Sequence, residues 1–216
     1  MKNTYDFVIS FAAALEGEGL PQALSGRSIA LLRTGVGPVN AAYSVTRFLM
    51  ENTVGAVIVC GVGGAYPGFG LATGDVVCAE SETYGDLGAD SPEGFLDMQA
   101  LGFPVIEGAA PVFNRLPLDL FPVQRRVPFV TCATCTGTDA KAVSLAARTG
   151  GAVESMEGAA VVHVARLMGV NVGEVRGISN AVGNRDRAQW RLKEAAAAAR
   201  TALINWIEDG GGAAGC

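Results

Sequence analysis

The chain has 216 residues, of which half are hydrophobic and 17% are charged. This length and composition suit one domain with a large core and exclude a disordered chain. Acidic residues outnumber basic ones by 21 to 16, which gives a net charge of −5. Because binding to a nucleic-acid duplex needs a basic face, we expect no nucleic-acid partner.

The chain contains one histidine, His163. One histidine excludes a His-rich metal site, and any Ser-His or Cys-His mechanism would have to use it. His163 lies in the middle of a helical pattern between two valines, which favours a packed side chain over a catalytic one. If the chain is an enzyme, we expect carboxylates as its acid–base groups and no metal.

Five cysteines are an odd number in a chain that is large enough to fold without disulfides. This predicts free thiols in a reducing cytoplasm, including the Cys132 and Cys135 pair, which lacks the second pair of a zinc site. No targeting signal is visible, and no apolar stretch reaches the roughly 20 residues needed to cross a bilayer. We therefore expect a cytoplasmic protein without membrane attachment.

The first half of the chain alternates strand and helix patterns. Strands are predicted over residues 5–11 and 28–34, followed by a helix over 39–52 that begins after Pro38. A continuous apolar run over 57–60 predicts a strand buried on both faces, which ends at the glycine cluster 61–64. A further strand is predicted over 75–79.

The second half begins with an irregular segment, residues 84–126, that contains five prolines. Beyond it the patterns predict strands over 129–132, 152–155 and 172–178, and helices over 139–149, 156–168 and 190–209. The alternation predicts an α/β fold: one domain over residues 1–209, with a three-layer α/β/α architecture and a central mixed, mostly parallel sheet. Residues 210–216 are predicted to form a flexible tail.

Ligands bind to α/β sheets where the strands end, which indicates five candidate segments. Glycines 61–64 allow a close approach of backbone to ligand, either as a tight turn or as a phosphate cradle. Glu157 is either a carboxylate that favours a helix start or one that accepts two hydrogen bonds from a hydroxyl pair. Asn180 is either a turn former or an amide that meets the edge of a heterocycle. The five segments are 12–16, 61–64, 135–139, 156–157 and 179–187.

The order of several motifs resembles the purine nucleoside phosphorylase and nucleosidase superfamily over nearly the whole chain. Two stretches, residues 84–95 and 179–186, resemble the futalosine hydrolase family within it. The superfamily motifs are Glu16 after the first strand, Thr34–Gly37, Gly61–Gly64, Gly74–Val77, Met156–Ala160 and Arg176–Ser179.

The resemblance implies hydrolysis of the N-glycosidic bond of futalosine, which releases hypoxanthine and dehypoxanthine futalosine. It implies a small nucleoside as the binding partner and no metal or organic cofactor. It also implies a homo-oligomer, a dimer or larger, for which residues 101–113 are our candidate contact.

The resemblance also implies the roles of individual residues. Glu16 would activate the attacking water, with Glu18 as the alternative, and Glu157 would hold the ribose hydroxyls. Asn180 would meet the purine, and an amide there fits the 6-oxo group of hypoxanthine better than adenine. The implied substrate-binding residues are Val62, Gly63, Gly64, Thr138, Ala140, Ser155 and Met156.

Two other functions stay open. One is a different purine nucleosidase, of the methylthioadenosine or S-adenosylhomocysteine type, or a nucleoside phosphorylase. Val62 has no hydroxyl group to hold phosphate, which favours hydrolysis over phosphorolysis. The other is a nucleoside-binding module without catalytic activity, which would be expected to lack one of the two carboxylates.

Overall fold

The computed structural model describes residues 2–212, which form one main sheet with helices on both faces. The strands are β1 (Thr4–Phe11), β2 (Ala23–Leu24), β3 (Arg27–Arg33), β4 (Thr53–Ala65), β5 (Val76–Tyr84), β6 (Gly88–Ser91), β7 (Gly94–Asp97), β8 (Leu116–Pro117), β9 (Arg126–Thr131), β10 (Val153–Ser155) and β11 (Asn171–Ala181). The helices are α1 (Ala14–Gly17), α2 (Pro38–Glu51), α3 (Met98–Leu101), α4 (Asp139–Thr149), α5 (Gly158–Leu167) and α6 (Leu192–Glu208).

The main sheet has the strand order β10-β9-β5-β11-β4-β1-β3-β2, with β8 paired to β5. Strands β3, β1, β4 and β11 run parallel to one another, and so do β5, β9 and β10. The two parallel groups meet where β11 pairs antiparallel with β5, and again where β10 pairs antiparallel with the end of β4. The predicted mixed, mostly parallel sheet is therefore confirmed.

Helices cover the two faces of the sheet, which confirms the predicted three layers. Helices α2 and α5 pack together on one face, where α2 buries Ala41, Val45 and Leu49. Helix α6 covers the opposite face and buries Ala199 and Leu203 at the same four-residue spacing. This spacing places the apolar side chains of each helix along one stripe that faces the sheet.

The predicted end of a strand at residue 60 is wrong, because β4 continues through the glycine cluster to Ala65. Gly61 pairs with Arg176 and Gly64 with Asn180 of β11, so the cluster is extended backbone and not a turn. A Cβ on Gly63 would lie 2.6 Å from Cγ1 of Val153. The glycines thus mark the close approach of neighbouring side chains to an extended strand.

Two predicted helix starts also differ from the structure. The helix predicted from residue 156 begins at Gly158, because Glu157 is its N-cap residue and lies outside the helical conformation. The last helix begins at Leu192, after a short 3₁₀ turn at Arg187–Gln189. By contrast, the helix predicted over 139–149 has those bounds, and it ends at Gly150 in the left-handed conformation.

The segment 84–126 is more regular than predicted. Strand β5 continues to Tyr84, and β6 and β7 form a separate hairpin that turns at Pro92 and Glu93, just before Gly94, where φ is 127°. Helix α3 and strand β8 follow. These elements are only two to four residues long, so their sequences carry too little periodicity to be recognised.

The structure describes Gly210–Gly212 of the predicted tail, and these residues turn against Trp206. The rest of the predicted tail, residues 213–216, lies outside the described residues. Cys216 also lies outside it, whereas Cys60, Cys78, Cys132 and Cys135 are free thiols. Among residues 2–212, no helix is both long enough and apolar enough to span a membrane.

Candidate active site

A cavity of about 240 Å³ opens where parallel strands β1, β4 and β11 end at the same edge of the sheet. Each of the five predicted strand-end segments contributes to its wall. The wall is formed by residues within 12–16, 62–64, 135–136, 154–157 and 179–185, together with Val36, Arg176, Trp190 and Leu192.

Glu16 projects into this cavity from the short helix α1 and is only 4% exposed. Its Oε2 accepts hydrogen bonds from the backbone N–H groups of Ala12 at 3.0 Å and Ala13 at 2.8 Å. Its Oε1 accepts a third from Val62 N–H at 3.0 Å. Three fixed donors therefore hold the carboxylate in one orientation. Glu18, the alternative residue, is exposed and does not line this cavity.

Glu157 is the N-cap residue of α5 and lies in the wall of the same cavity. Its Oε1 accepts a hydrogen bond from Gly37 N–H at 3.0 Å, and its Oε2 lies 3.7 Å from Nη1 of Arg176. Burial raises the pKa of the Glu157 carboxyl, while Arg176 and the Gly37 N–H act in the opposite direction. Burial outweighs these two groups, so the net effect raises the pKa of this largely dehydrated carboxyl group above its usual value.

Arg176 lies near both Glu157 and Glu16. It is 2% exposed, and its Nε donates to Oε1 of Glu174 at 2.7 Å while Nη1 donates to the carbonyl of Val62 at 3.0 Å. A Cβ on Gly61 would lie 2.5 Å from Oε1 of Glu16 and 2.9 Å from Nη1 of Arg176. The carboxylate and the guanidinium therefore both lie over Gly61, a residue that has no side chain.

Sequence reasoning gave Arg176 no role, although a signal was present. Arg176 and Glu174 interrupt the apolar pattern of β11, in which nearly every residue is buried. Charged residues are almost never fully buried unless they are paired, so two of them in a buried strand indicate an ion pair with a function in or near a site.

Asn180 and Ser179 form another part of the wall, at the end of β11. Oγ of Ser179 lies 2.7 Å from Oδ1 of Asn180 and 3.2 Å from the carbonyl of Gly63. Nδ2 of Asn180 donates to the carbonyl of Ala181 at 2.8 Å. Both the oxygen and the nitrogen of the amide are therefore held in place, next to the glycine backbone of β4.

Glu154 is a third carboxylate in the wall that sequence reasoning did not select. Its Oε2 accepts from the Tyr66 hydroxyl at 2.6 Å and from Oγ1 of Thr136, and its Oε1 accepts from Thr136 N–H at 2.9 Å. Burial raises the pKa of the Tyr66 hydroxyl far above its usual range, so Tyr66 remains a donor. This network ties the loop after β9 to β10.

The other predicted site residues fall into two groups. Val62, Gly63, Gly64, Ser155 and Met156 line the cavity with Glu16, Glu157 and Asn180. Thr138 and Ala140 are exposed and do not line it, and Thr138 instead caps α4 by accepting from Lys141 N–H at 3.3 Å.

His163 also lies outside the cavity wall, with Nδ1 3.2 Å from the Tyr84 hydroxyl. Burial lowers the pKa of His163, which favours the neutral ring. Within residues 2–212, no group of three or more His, Cys, Asp or Glu side chains is arranged to hold a metal ion.

Comparison with known proteins identifies relatives that match most of the chain. Residues 19–208 match the family model of the phosphorylase superfamily. The futalosine hydrolase of Thermus thermophilus is 36% identical over 94% of this chain and 93% of its own length. The futalosine hydrolase of Acidothermus cellulolyticus is 40% identical over 85% of this chain and 79% of its own length.

A solved structure shows the same fold. The native structure of futalosine hydrolase from Helicobacter pylori superposes with a TM-score of 0.78 at 16% identity, covering 96% of this chain and 98% of that one. Both resemblances drawn from the sequence motifs are thereby confirmed. The chain belongs to the phosphorylase superfamily and, within it, to the family of the futalosine hydrolases.

Proposed function

We propose that this chain hydrolyses the N-glycosidic bond of futalosine, a step of menaquinone biosynthesis, and releases hypoxanthine and dehypoxanthine futalosine. One observation carries the reaction type: Glu16 and Glu157 line a single cavity and both approach Arg176. The substrate is inferred from the three relatives named futalosine hydrolase. No organic cofactor or metal takes part in the proposed reaction.

Glu157 acts on the sugar in this proposal. Departure of a purine leaves positive charge on the ribose, as in the hydrolysis of O-glycosides. A carboxylate that accepts hydrogen bonds from the ribose hydroxyls stabilises that charge, and the effect is strong where water is excluded. Glu157 suits this role because it is 6% exposed and Arg176 favours its ionised form.

Glu16 acts on water. A general base must be fixed within hydrogen-bond reach of the proton that it takes. Hydrogen bonds from Ala12, Ala13 and Val62 fix this carboxylate, and Arg176 lies beside it above Gly61. A water molecule held by Glu16 and the guanidinium would attack the anomeric carbon and transfer its proton to Glu16.

Asn180 acts on the purine. Its amide can donate a hydrogen bond to N7, which offsets the negative charge that develops on the leaving base. The contact with Ser179 fixes Oδ1, and the Nδ2 group faces the cavity side of Gly64, 3.2 Å from the position of a Cβ there. An amide donor at this position fits a 6-oxopurine, which supports hypoxanthine as the leaving base.

The charges of the cavity favour water over phosphate as the nucleophile. Three carboxylates line it, those of Glu16, Glu154 and Glu157. Of the two cations in its wall, Arg176 is already paired with Glu174 and Glu157, and Arg185 lies over the Trp190 ring at 5.1 Å. A phosphate dianion would therefore meet more negative than unpaired positive charge.

The cellular setting and the assembly belong to the same proposal. Free buried thiols at Cys60, Cys78 and Cys132 support a reducing, cytoplasmic location. A homo-oligomer is supported by apolar side chains next to the cavity, with Val36 53% and Val39 80% exposed. Phe103, in the candidate contact segment 101–113, is also exposed.

A substrate screen tests the proposed function. Purified chain is incubated with futalosine, inosine or methylthioadenosine, with and without phosphate, and the products are identified by mass. We expect hypoxanthine from futalosine at a rate that phosphate does not change. Release that requires phosphate would indicate a phosphorylase, preferential release of adenine would indicate a methylthioadenosine-type nucleosidase, and binding without release would indicate a module without catalytic activity.

A further inference from the structure

Two buried carboxyl groups lie behind the cavity and have no part in the proposed reaction steps. Glu82 on β5 and Glu174 on β11 are both 0% exposed, and neither lines the cavity. They lie beside Gly158, the first residue of α5 and the neighbour of Glu157. Buried carboxyl groups are costly unless they are paired or neutral, so this pair needs an explanation.

One oxygen of each carboxyl group already has a donor. Oγ1 of Thr131 donates to Oε2 of Glu82 at 2.9 Å, and Nε of Arg176 donates to Oε1 of Glu174 at 2.7 Å. The Thr131 oxygen also accepts from Ala159 N–H at 2.7 Å, which directs its own hydrogen towards Glu82.

The remaining two oxygens have no donor among the residues that the structure describes. These are Oε1 of Glu82 and Oε2 of Glu174. Both face the same point, because a Cβ on Gly158 would collide with each of them. Two acceptor oxygens that converge in a buried space repel one another unless a proton lies between them. A single proton on Glu82 would satisfy both.

We propose that Glu82 and Glu174 share one proton, carried by Glu82, and that the ionised Glu174 thereby holds Arg176 in place for Glu157 and Glu16. Glu82 and Glu174 are then positioning residues, and this role rests on the proposed function. Neutral Glu82 donates to Oε2 of Glu174, and Oε1 of Glu174 fixes the Nε edge of the guanidinium. The Nη1 group then remains directed at Val62 and Glu157.

The surroundings of Glu82 favour its neutral form. Burial raises the pKa of Glu82 well above its usual value, and the charge of Glu174 acts in the same direction. Arg176 and the hydrogen bond from Thr131 lower this pKa, but they do not cancel the effect of burial. Tyr84 on the same strand is kept neutral because burial raises the pKa of its hydroxyl group. His163 from α5, which contacts Tyr84, brings no positive charge, since burial lowers its pKa.

Two substitutions at Glu82 separate a neutral acid from an ionised one. In Glu82→Gln, the amide can accept from Thr131 and donate to Glu174, as the neutral acid does, so we expect kcat within about threefold of wild type. Glu82→Leu removes the donor and should lower kcat by roughly tenfold or more. Glu80→Gln is the matched control, because Glu80 lies on the same strand but is exposed. A Gln variant as impaired as the Leu variant would overturn the proposal.

The pH dependence of kcat distinguishes a shared proton from a role in packing alone, because a packing role would leave it unchanged. Loss of the shared proton at high pH would add a second negative charge beside Glu174 and draw Arg176 away from Glu157. The alkaline limb of the kcat profile should therefore shift to higher pH in Glu82→Gln and remain in place in Glu80→Gln. Identical alkaline limbs in wild type and Glu82→Gln would count against a shared proton.

Two further measurements need no substrate, so they separate this proposal from the proposed function. A carboxyl whose folded pKa is raised contributes stability at low pH that is lost as pH rises towards the folded pKa. The unfolding free energy of wild type should thus fall relative to Glu82→Gln as pH rises above 4.5, the usual pKa of Glu82. Infrared spectroscopy at neutral pH should show a protonated-carboxyl band that Glu82→Gln lacks. Absence of that band would overturn the shared proton even if futalosine were hydrolysed.

Discussion

The backbone N–H of Val62 donates a hydrogen bond to Oε1 of Glu16 at 3.0 Å, across 46 residues of sequence. Val62 therefore contributes its main chain rather than its side chain to the position of the carboxylate. This contact exists because β4 continues as an extended strand beyond Cys60 and places Val62 opposite α1. The glycine cluster thus positions the proposed base, and a phosphate cradle is not needed to explain it.

Glu16→Gln should reduce kcat for futalosine by about 100-fold or more, since an amide cannot take a proton from water. The substitution also replaces one acceptor oxygen with an N–H₂ group that must face Val62 or the Ala12 and Ala13 donors. Steady-state kinetics at saturating futalosine measure the effect.

Glu18→Gln is the matched control for this substitution, because Glu18 is exposed and lies two residues away. Its kcat should equal that of wild type. Impairment of the Glu18 variant with a normal Glu16 variant would transfer the role of the base to Glu18.

Gly61→Ala tests the placement of Glu16 and Arg176 over Gly61. The new Cβ would lie 2.5 Å from Oε1 of Glu16, so the carboxylate must shift. We expect kcat to fall by about 100-fold, because small displacements of a catalytic group are costly. Gly137→Ala is the control, since its Cβ would meet only Cδ of Arg185, at 3.7 Å. Equal activities of the two variants would contradict the proposed geometry.

The sequence was sufficient to predict most of the sheet and the candidate cavity for a physical reason. Apolar runs and the 3.6-residue periodicity are properties of short stretches of sequence, so they predict individual strands and helices. Because ligands bind where the strands of such sheets end, the predicted strand ends indicate the position of the site. The resemblance to the superfamily then selected Glu16, Glu157 and Asn180, which the structure brings together in one wall.

The contacts between distant strands could not be read from local patterns. Arg176 meets Glu157 and the carbonyl of Val62 only because β11 lies beside β4 in a particular register. Likewise, Glu82 and Glu174 are 92 residues apart and approach one another at Gly158, beyond the residues through which β5 and β11 pair antiparallel. The glycine cluster resembled a turn because glycine is common in turns, whereas its extended form depends on the pairing with β11.

Arg176→Lys should move the acid limb of the kcat/KM profile to higher pH. Arg176 lowers the pKa of Glu157, and one ammonium group cannot contact Glu174, Val62 and Glu157 at the same time. The pKa of Glu157 in the variant should rise, so the ionised form appears only at higher pH. A profile with an unchanged acid limb would show that Arg176 does not set the charge of Glu157.

Glu157→Gln should nearly abolish turnover and yet stabilise the folded chain. The isostere keeps the hydrogen bond from Gly37 but loses the charge that we propose stabilises the sugar, so kcat should fall by about 1000-fold. Burial raises the pKa of Glu157 above 4.5 in the folded state, so folding becomes less favourable as pH rises and the carboxyl must ionise. Denaturant unfolding should therefore show the Gln variant gaining stability over wild type with rising pH, from no gain below pH 4.5 to the largest gain above the folded pKa. A stability difference that is constant across this range, or that reverses, would contradict the assignment of a buried, ionised carboxylate.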